Sequence, residues 1–124
     1  MPWTLTKIHS DGARAEKSAA VYLRRQGLRL LEKNFACPYG ELDLIMLDLN
    51  TIVFIEVRLR STAAFGSAAE SITYSKIKKI KMTANIFLQH NLRYRHKDCR
   101  FDAVTISCDG SKKQNHIEWT KGAF

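Results

Sequence analysis

Asp43, Glu56 and Arg58 are the residues whose types and spacing best suit chemistry. Side chains two apart on a β-strand share a face. In Gly40-Glu41-Leu42-Asp43-Leu44-Ile45, Glu41 and Asp43 therefore stand together with Ile45. In the stretch from Thr51 to Arg60, Ile52, Phe54, Glu56, Arg58 and Arg60 share one face, while Val53, Ile55, Val57 and Leu59 share the other. A strand wet on one side carries such charges freely. A strand central in a small sheet does not, because buried unpaired charge is costly. Two carboxylates brought together repel unless a cation lies between them, and Mg²⁺ takes oxygen ligands at roughly 2.0–2.1 Å. Asp43 and Glu56 are the candidate ligands, the Val57 carbonyl a further oxygen, and Glu16 a carboxylate that could join from a helix above.

Register decides whether the pair forms. A two- or four-residue hairpin loop, or a bulge, sets Asp43 opposite Glu56, with Cβ atoms about 4.5–5.5 Å apart. A three-residue loop turns Glu56 to the other side of the sheet. Simpler roles exist for each residue: Glu56 and Arg58 can neutralise one another, Asp43 can pair with Arg60, and Glu16 has Lys17 and Arg14 nearby.

The elements that would position these groups follow from periodicity and punctuation. Asp11 can cap a helix over 12–26 that ends at Gly27, with Glu16, Ala19, Ala20 and Leu23 as its inward stripe. Leu28 to Phe35, Glu41 to Leu47 and Thr51 to Arg60 read as strands, with turns at Pro38-Tyr39-Gly40 and Asp48-Leu49-Asn50. The Ser- and Ala-rich stretch from Arg60 to Tyr74 reads as a loop. Ile77, Ile80, Ala84, Phe87 and Leu88 recur at helical spacing and predict a helix over 75–91. Arg100 to Cys108 alternates, Asp109-Gly110-Ser111 turns, and Asn115 to Thr120 pairs back.

In Gly40-Glu41-Leu42-Asp43 followed by Ile55-Glu56-Val57-Arg58, the chain resembles the G-E-x-D … E-x-K form of the PD-(D/E)XK nuclease signature. More narrowly, it resembles the bacterial YraN family of predicted endonucleases. The likeness extends to Gly12-Ala13-x-x-Glu16-x-x-Ala19, Lys76-x-x-Lys79-Ile80, Arg100-Phe101-Asp102-Ala103-Val104 and the closing Trp119-Thr120-Lys121-Gly122-Ala123-Phe124. The resemblance implies an α/β fold with a restriction-endonuclease-like αβββαβ core, a mixed central sheet flanked by helices. It implies an endonuclease that hydrolyses DNA with Mg²⁺ or Mn²⁺, held by Asp43 and Glu56. By analogy with small Holliday-junction resolvases, branched DNA and a homodimer are the matching substrate and assembly.

The family pattern places lysine where this chain has Arg58. A guanidinium stays protonated, with a pKa above ~12, and cannot act as a base, although it can grip a phosphate. Arg58 is thus either an electrostatic clamp, with the proton of the attacking water passing to solvent, Glu41 or Glu16, or the mark of a nucleic-acid-binding protein that has lost catalysis. On the second view, Arg58→Lys raises any nuclease activity. Lys76 could reach in as a substitute.

Composition bounds the rest. The 124 residues suit a single domain over 1–124. Twenty Lys and Arg against twelve Asp and Glu leave a charge of +8. No apolar run approaches the ~20 residues of a membrane span, and the N-terminus lacks a secretory signal. Cys37, Cys99 and Cys108 form no Cys-x-x-Cys pair, and the four histidines have no ligand spacing. They read as the thiols and imidazoles of a cytoplasmic protein without disulfide or zinc. From Ser71 to Lys97 there are seven basic residues and no acidic one. A one-sign field suits a polyanion, here DNA, with Lys76, Lys78, Lys79 and Arg60 as candidate backbone contacts. A solvated helix face would show the same pattern. Asp102 reads as structural, and Trp3 and Trp119 as packing or dimer contacts.

Overall fold

The computed structural model describes residues 11–60, 72–108 and 115–124. Helix α1 (Asp11–Arg25) is followed by strands β1 (Arg29–Cys37), β2 (Gly40–Asp48) and β3 (Thr51–Arg60). Helix α2 (Tyr74–His90), a short 3₁₀ turn at Leu92–Tyr94, β4 (Asp98–Cys108) and β5 (Asn115–Thr120) complete the order. The result is a mixed α/β fold. The strands form one sheet in the order β1-β2-β3-β4-β5, antiparallel throughout except for the central parallel pair β3/β4.

Helix α1 ends as its sequence requires. Gly27 adopts φ +102°, the Gly27 N–H donates to the Arg24 carbonyl, and the Leu28 N–H donates to the Leu23 carbonyl. That is the Schellman arrangement, in which a residue with positive φ satisfies the last carbonyls. Leu23 and Leu28 then meet in the core. The expected inward stripe is buried in full, with Ala15 added to it.

The aliphatic face of β3 packs beneath α1: Ala19, Ala20 and Leu23 lie on Leu44, Met46, Val53, Ile55, Val104 and Ile106. The opposite face packs beneath α2, where Ile80, Ala84 and Phe87 cover Ile45, Ile52 and Phe54. Phe87 stands edge-on to Phe35 and Phe54, with ring centroids 5.3 and 6.1 Å away. Edge-to-face geometry of this kind adds to the burial itself.

The bounds of β3 and β5 match the sequence-based ones, those of β1, β2 and the start of β4 differ by one or two residues, and two connections are tighter. Asp48 pairs directly with Thr51, so Leu49-Asn50 is a two-residue turn, with Leu49 at φ +56°. This is one of the two loop lengths that bring Asp43 and Glu56 to the same face. Pro38-Tyr39 likewise joins paired Cys37 and Gly40. A bulge between Leu30 and Glu32 also breaks the regular alternation of β1. The loop expected after Arg60, the Asp109-Gly110-Ser111 turn and Trp3 fall outside the described residues or largely so. Among the described residues, no helix is long and apolar enough to cross a membrane.

Candidate active site

The ladder between β2 and β3 stops at Leu44↔Ile55. The next step in that register would be Asp43 opposite Glu56. Beyond this point β3 continues pairing with β4 as far as Arg60↔Ser107, while β2 stays with β1. The sheet therefore splays. In place of a backbone partner, the Val57 N–H donates to Asp43 Oδ2 at 2.8 Å. This bond stitches the two strands across the opening and fixes the Asp43 carboxylate.

The splay opens a cleft of about 370 Å³ lined by Gly40, Glu41, Asp43, Glu56, Thr73, Ser75, Lys76, Lys79 and Ile80. Asp43 and Glu56 are only 2% and 5% exposed. Burial first, and then hydrogen bonding and repulsion from Asp43, push the Glu56 carboxyl up to about 8, against the opposing pull of Lys76. Two adjacent carboxylates in low dielectric resist ionising together, so Glu56 holds its proton more tightly than an ordinary carboxyl does. Lys76 Nζ lies 2.7 Å from Glu56 Oε2, and Arg58 Nη1 lies 3.8 Å from the same oxygen.

Of the sequence-derived candidates, Asp43, Glu56, Arg58 and Lys76 converge here, with Lys79 in the cleft wall. Val57 is tied in through its N–H. Glu16 is 4% exposed, but it belongs to the buried side of α1, which covers the opposite sheet face, and it is not part of the cleft lining. Lys78 is exposed on α2 and also does not line the cleft. Arg60 buries Nη2 without a hydrogen-bond partner.

The position of Lys76 has a topological cause that the periodicity of α2 alone does not reveal. A β-helix-β crossover between parallel strands sets the helix N-terminus over the carboxyl end of the first strand. Thr73 then fixes where α2 begins: its side chain accepts from the Lys76 N–H at 3.2 Å. The Thr73-x-x-Lys76 spacing is the signal in the sequence that marks this turn.

Among the described residues, no three His, Cys, Asp or Glu side chains are grouped to hold a metal ion. The acidic set is a pair. A divalent cation suits it, because Mg²⁺ is commonly bound by one or two carboxylates with waters and substrate phosphates completing the shell. Two buried carboxylates, one with strongly raised proton affinity, are also the donors that a dication would relieve most.

Asp102 shows what a structural carboxylate looks like in the same sheet. It accepts from Arg100 Nε and Nη2, Trp119 Nε1 and the Gly122 N–H, each at 2.9 Å. Trp119 is accordingly a packing residue.

A sequence profile described as "Uncharacterised protein family UPF0102" matches residues 15–106. The chain is 47% identical over 117 residues to a UPF0102 protein of Ectopseudomonas mendocina, covering 94% of this chain and 96% of the relative. This chain belongs to the UPF0102 family. Other UPF0102 proteins are similarly close. One from Pseudomonas aeruginosa is 44% identical over 113 residues, covering 91% of this chain and 90% of that protein. One from Francisella tularensis is 46% identical over 114 residues, covering 91% and 92%. The UPF0102 match takes in both halves of the candidate site, from α1 through β4.

Proposed function

We propose that this UPF0102 protein is a metal-dependent endonuclease of the PD-(D/E)XK type, hydrolysing phosphodiester bonds in DNA. The observation that carries the reading is the buried Asp43–Glu56 pair at the point where β2 and β3 part, in a cleft walled by Lys76 and Lys79. Asp43 and Glu56 would hold Mg²⁺ or Mn²⁺. Such an ion acidifies water and neutralises charge developing on phosphorus.

The protein's own residues account for the rest. The Val57 N–H holds Asp43 in place. Arg58, permanently protonated, grips a phosphate oxygen. Lys79 and Lys78 on α2, with Arg60 at the end of β3, attract the flanking backbone. In the reaction a water oxygen bonds to phosphorus and the ester P–O bond to the departing sugar oxygen breaks. The water gives one proton to solvent, and the departing oxygen takes one up.

Arg58 at the lysine position favours one other reading, a DNA-binding protein on this fold that no longer cuts. A cleavage assay with branched, single-stranded and duplex DNA in Mg²⁺ and Mn²⁺ separates the two. The nuclease reading expects cutting that Asp43→Asn abolishes. Salt-sensitive binding without cutting on every substrate would overturn it in favour of the second.

A further inference from the structure

We propose that Lys76 does the work of the E-x-K lysine, reaching the site from α2 instead of from β3. This rests on the nuclease reading above and names a group that reading leaves open.

In the strand motif, a lysine two residues after the glutamate points to the same face of the sheet. Here that face is covered by the N-terminal turn of α2. A side chain descending from α2 arrives at the place that a strand side chain would reach from below. Lys76 Nζ sits 2.7 Å from Glu56 Oε2, whereas Arg58 Nη1 stands off at 3.8 Å. The closer cation is a compact ammonium whose three donors diverge from one nitrogen and turn on a flexible stem, suited to holding a water and a phosphate oxygen together with Glu56. The fork of Arg58 suits a phosphate alone.

Its anchorage is firm at the root and open at the tip. Thr73 caps the turn that carries Lys76, and Ile77 N–H donates to the Thr73 carbonyl at 3.0 Å. Ile80, one turn on, is buried in the core. The Lys76 side chain itself is 45% exposed, leaving its head accessible to a substrate in the cleft.

Four proteins test the assignment: the unaltered chain, Lys76→Met, Asp43→Asn, and Lys76→Met combined with Arg58→Lys. Lys76→Met is expected to lower kcat for Mn²⁺-dependent cleavage about 100-fold with little change in KM, as removing one transition-state donor does. Restoring lysine on β3 through Arg58→Lys is expected to recover about tenfold of that deficit. Mn²⁺ binding, followed by calorimetry without DNA, is expected to be undiminished in Lys76→Met, because the ammonium no longer competes for Glu56, and abolished in Asp43→Asn. Lys76→Gln repeats the test with a polar side chain should the Met variant fold poorly.

Unchanged kcat in both Lys76 variants would overturn the role of Lys76 while leaving the nuclease reading intact. So would a fall in kcat matched by an equal fall in Mn²⁺ affinity, or the absence of any rescue by Arg58→Lys. If the unaltered chain binds Mn²⁺ and cuts nothing, the nuclease reading fails and the assignment fails with it.

Discussion

Two buried acidic centres lie in one small sheet, and they are built in opposite ways. Asp102 is wholly buried, and each of its oxygens accepts two hydrogen bonds, from Arg100, Trp119 and Gly122. Arg100 also reaches Asp48 at 3.1 Å, so one guanidinium bridges two carboxylates within the protein. Those bonds pull the Arg100 guanidinium further toward its charged form. The Asp43–Glu56 centre instead sets two carboxylates side by side, with the Glu56 carboxyl pushed to about 8 by burial and by its neighbour. Of the cations beside it, Lys76 is half-exposed and lines the cleft, and Arg58 is partly exposed at 3.8 Å from Glu56 Oε2. A carboxylate whose bonds are all made inside the fold holds strands together. A pair of carboxylates set in an open cleft beside solvent-reaching cations is arranged for something from outside.

Breaking each centre separates the two roles most sharply. Asp43→Asn is expected to remove metal-dependent cleavage by about a thousandfold or more, while denaturant unfolding shows stability unchanged or raised, because a repulsive buried charge is gone. Asp102→Asn is expected to do the reverse. It costs about 2–3 kcal/mol of stability, less than a fully buried pair would because Arg100 keeps some access to water, and lowers activity only through unfolding.

Proton linkage sharpens the comparison next. Below its unfolded value of 4.5, Glu56 is protonated in both states. Between 4.5 and about 8 the folded chain binds the extra proton. The stabilisation from that raised value is therefore fully present at low pH and is lost as pH rises through about 8. Urea unfolding as a function of pH should show this decline, and Glu56→Gln should abolish it. Mn²⁺ must displace the same proton, so its affinity should rise by up to about tenfold per pH unit below pH 8, with proton release measurable by calorimetry in buffers of different ionisation enthalpy.

The smallest effect concerns the basic helix. Neutralising Lys78 and Lys79 together should flatten the slope of log DNA affinity against log salt by roughly one unit for each phosphate no longer neutralised, leaving Mn²⁺ binding as it was. An unchanged slope would make these lysines a solvated face and nothing more.

Much of this arrangement can be read from the chain because its determinants are local. Alternation along 51–60 assigns Glu56 and Arg58 to one face and the aliphatics to the other, and Gly27 marks the end of α1. The register of the β2–β3 hairpin is a nearer thing. Asp48-Leu49-Asn50 admits a two- or a three-residue turn, and only pairing of Asp48 with Thr51 brings the carboxylates to the same side. Non-local features are illegible in periodicity. The parting of β2 from β3 at Asp43 depends on β4 holding β3 from the other edge. The convergence of Arg100, Trp119 and Gly122 on Asp102 joins the start of β4 to the far end of the chain. Lys76 looks like a border residue of an amphipathic helix until the crossover sets it above Glu56.

Anomalous diffraction from crystals grown with Mn²⁺ tests the metal-holding pair most directly. The expected result is a peak roughly 2.1 Å from carboxylate oxygens of both Asp43 and Glu56, absent in Asp43→Asn crystals grown identically. A fully ordered cleft with no peak, or a peak held by other residues, would contradict it.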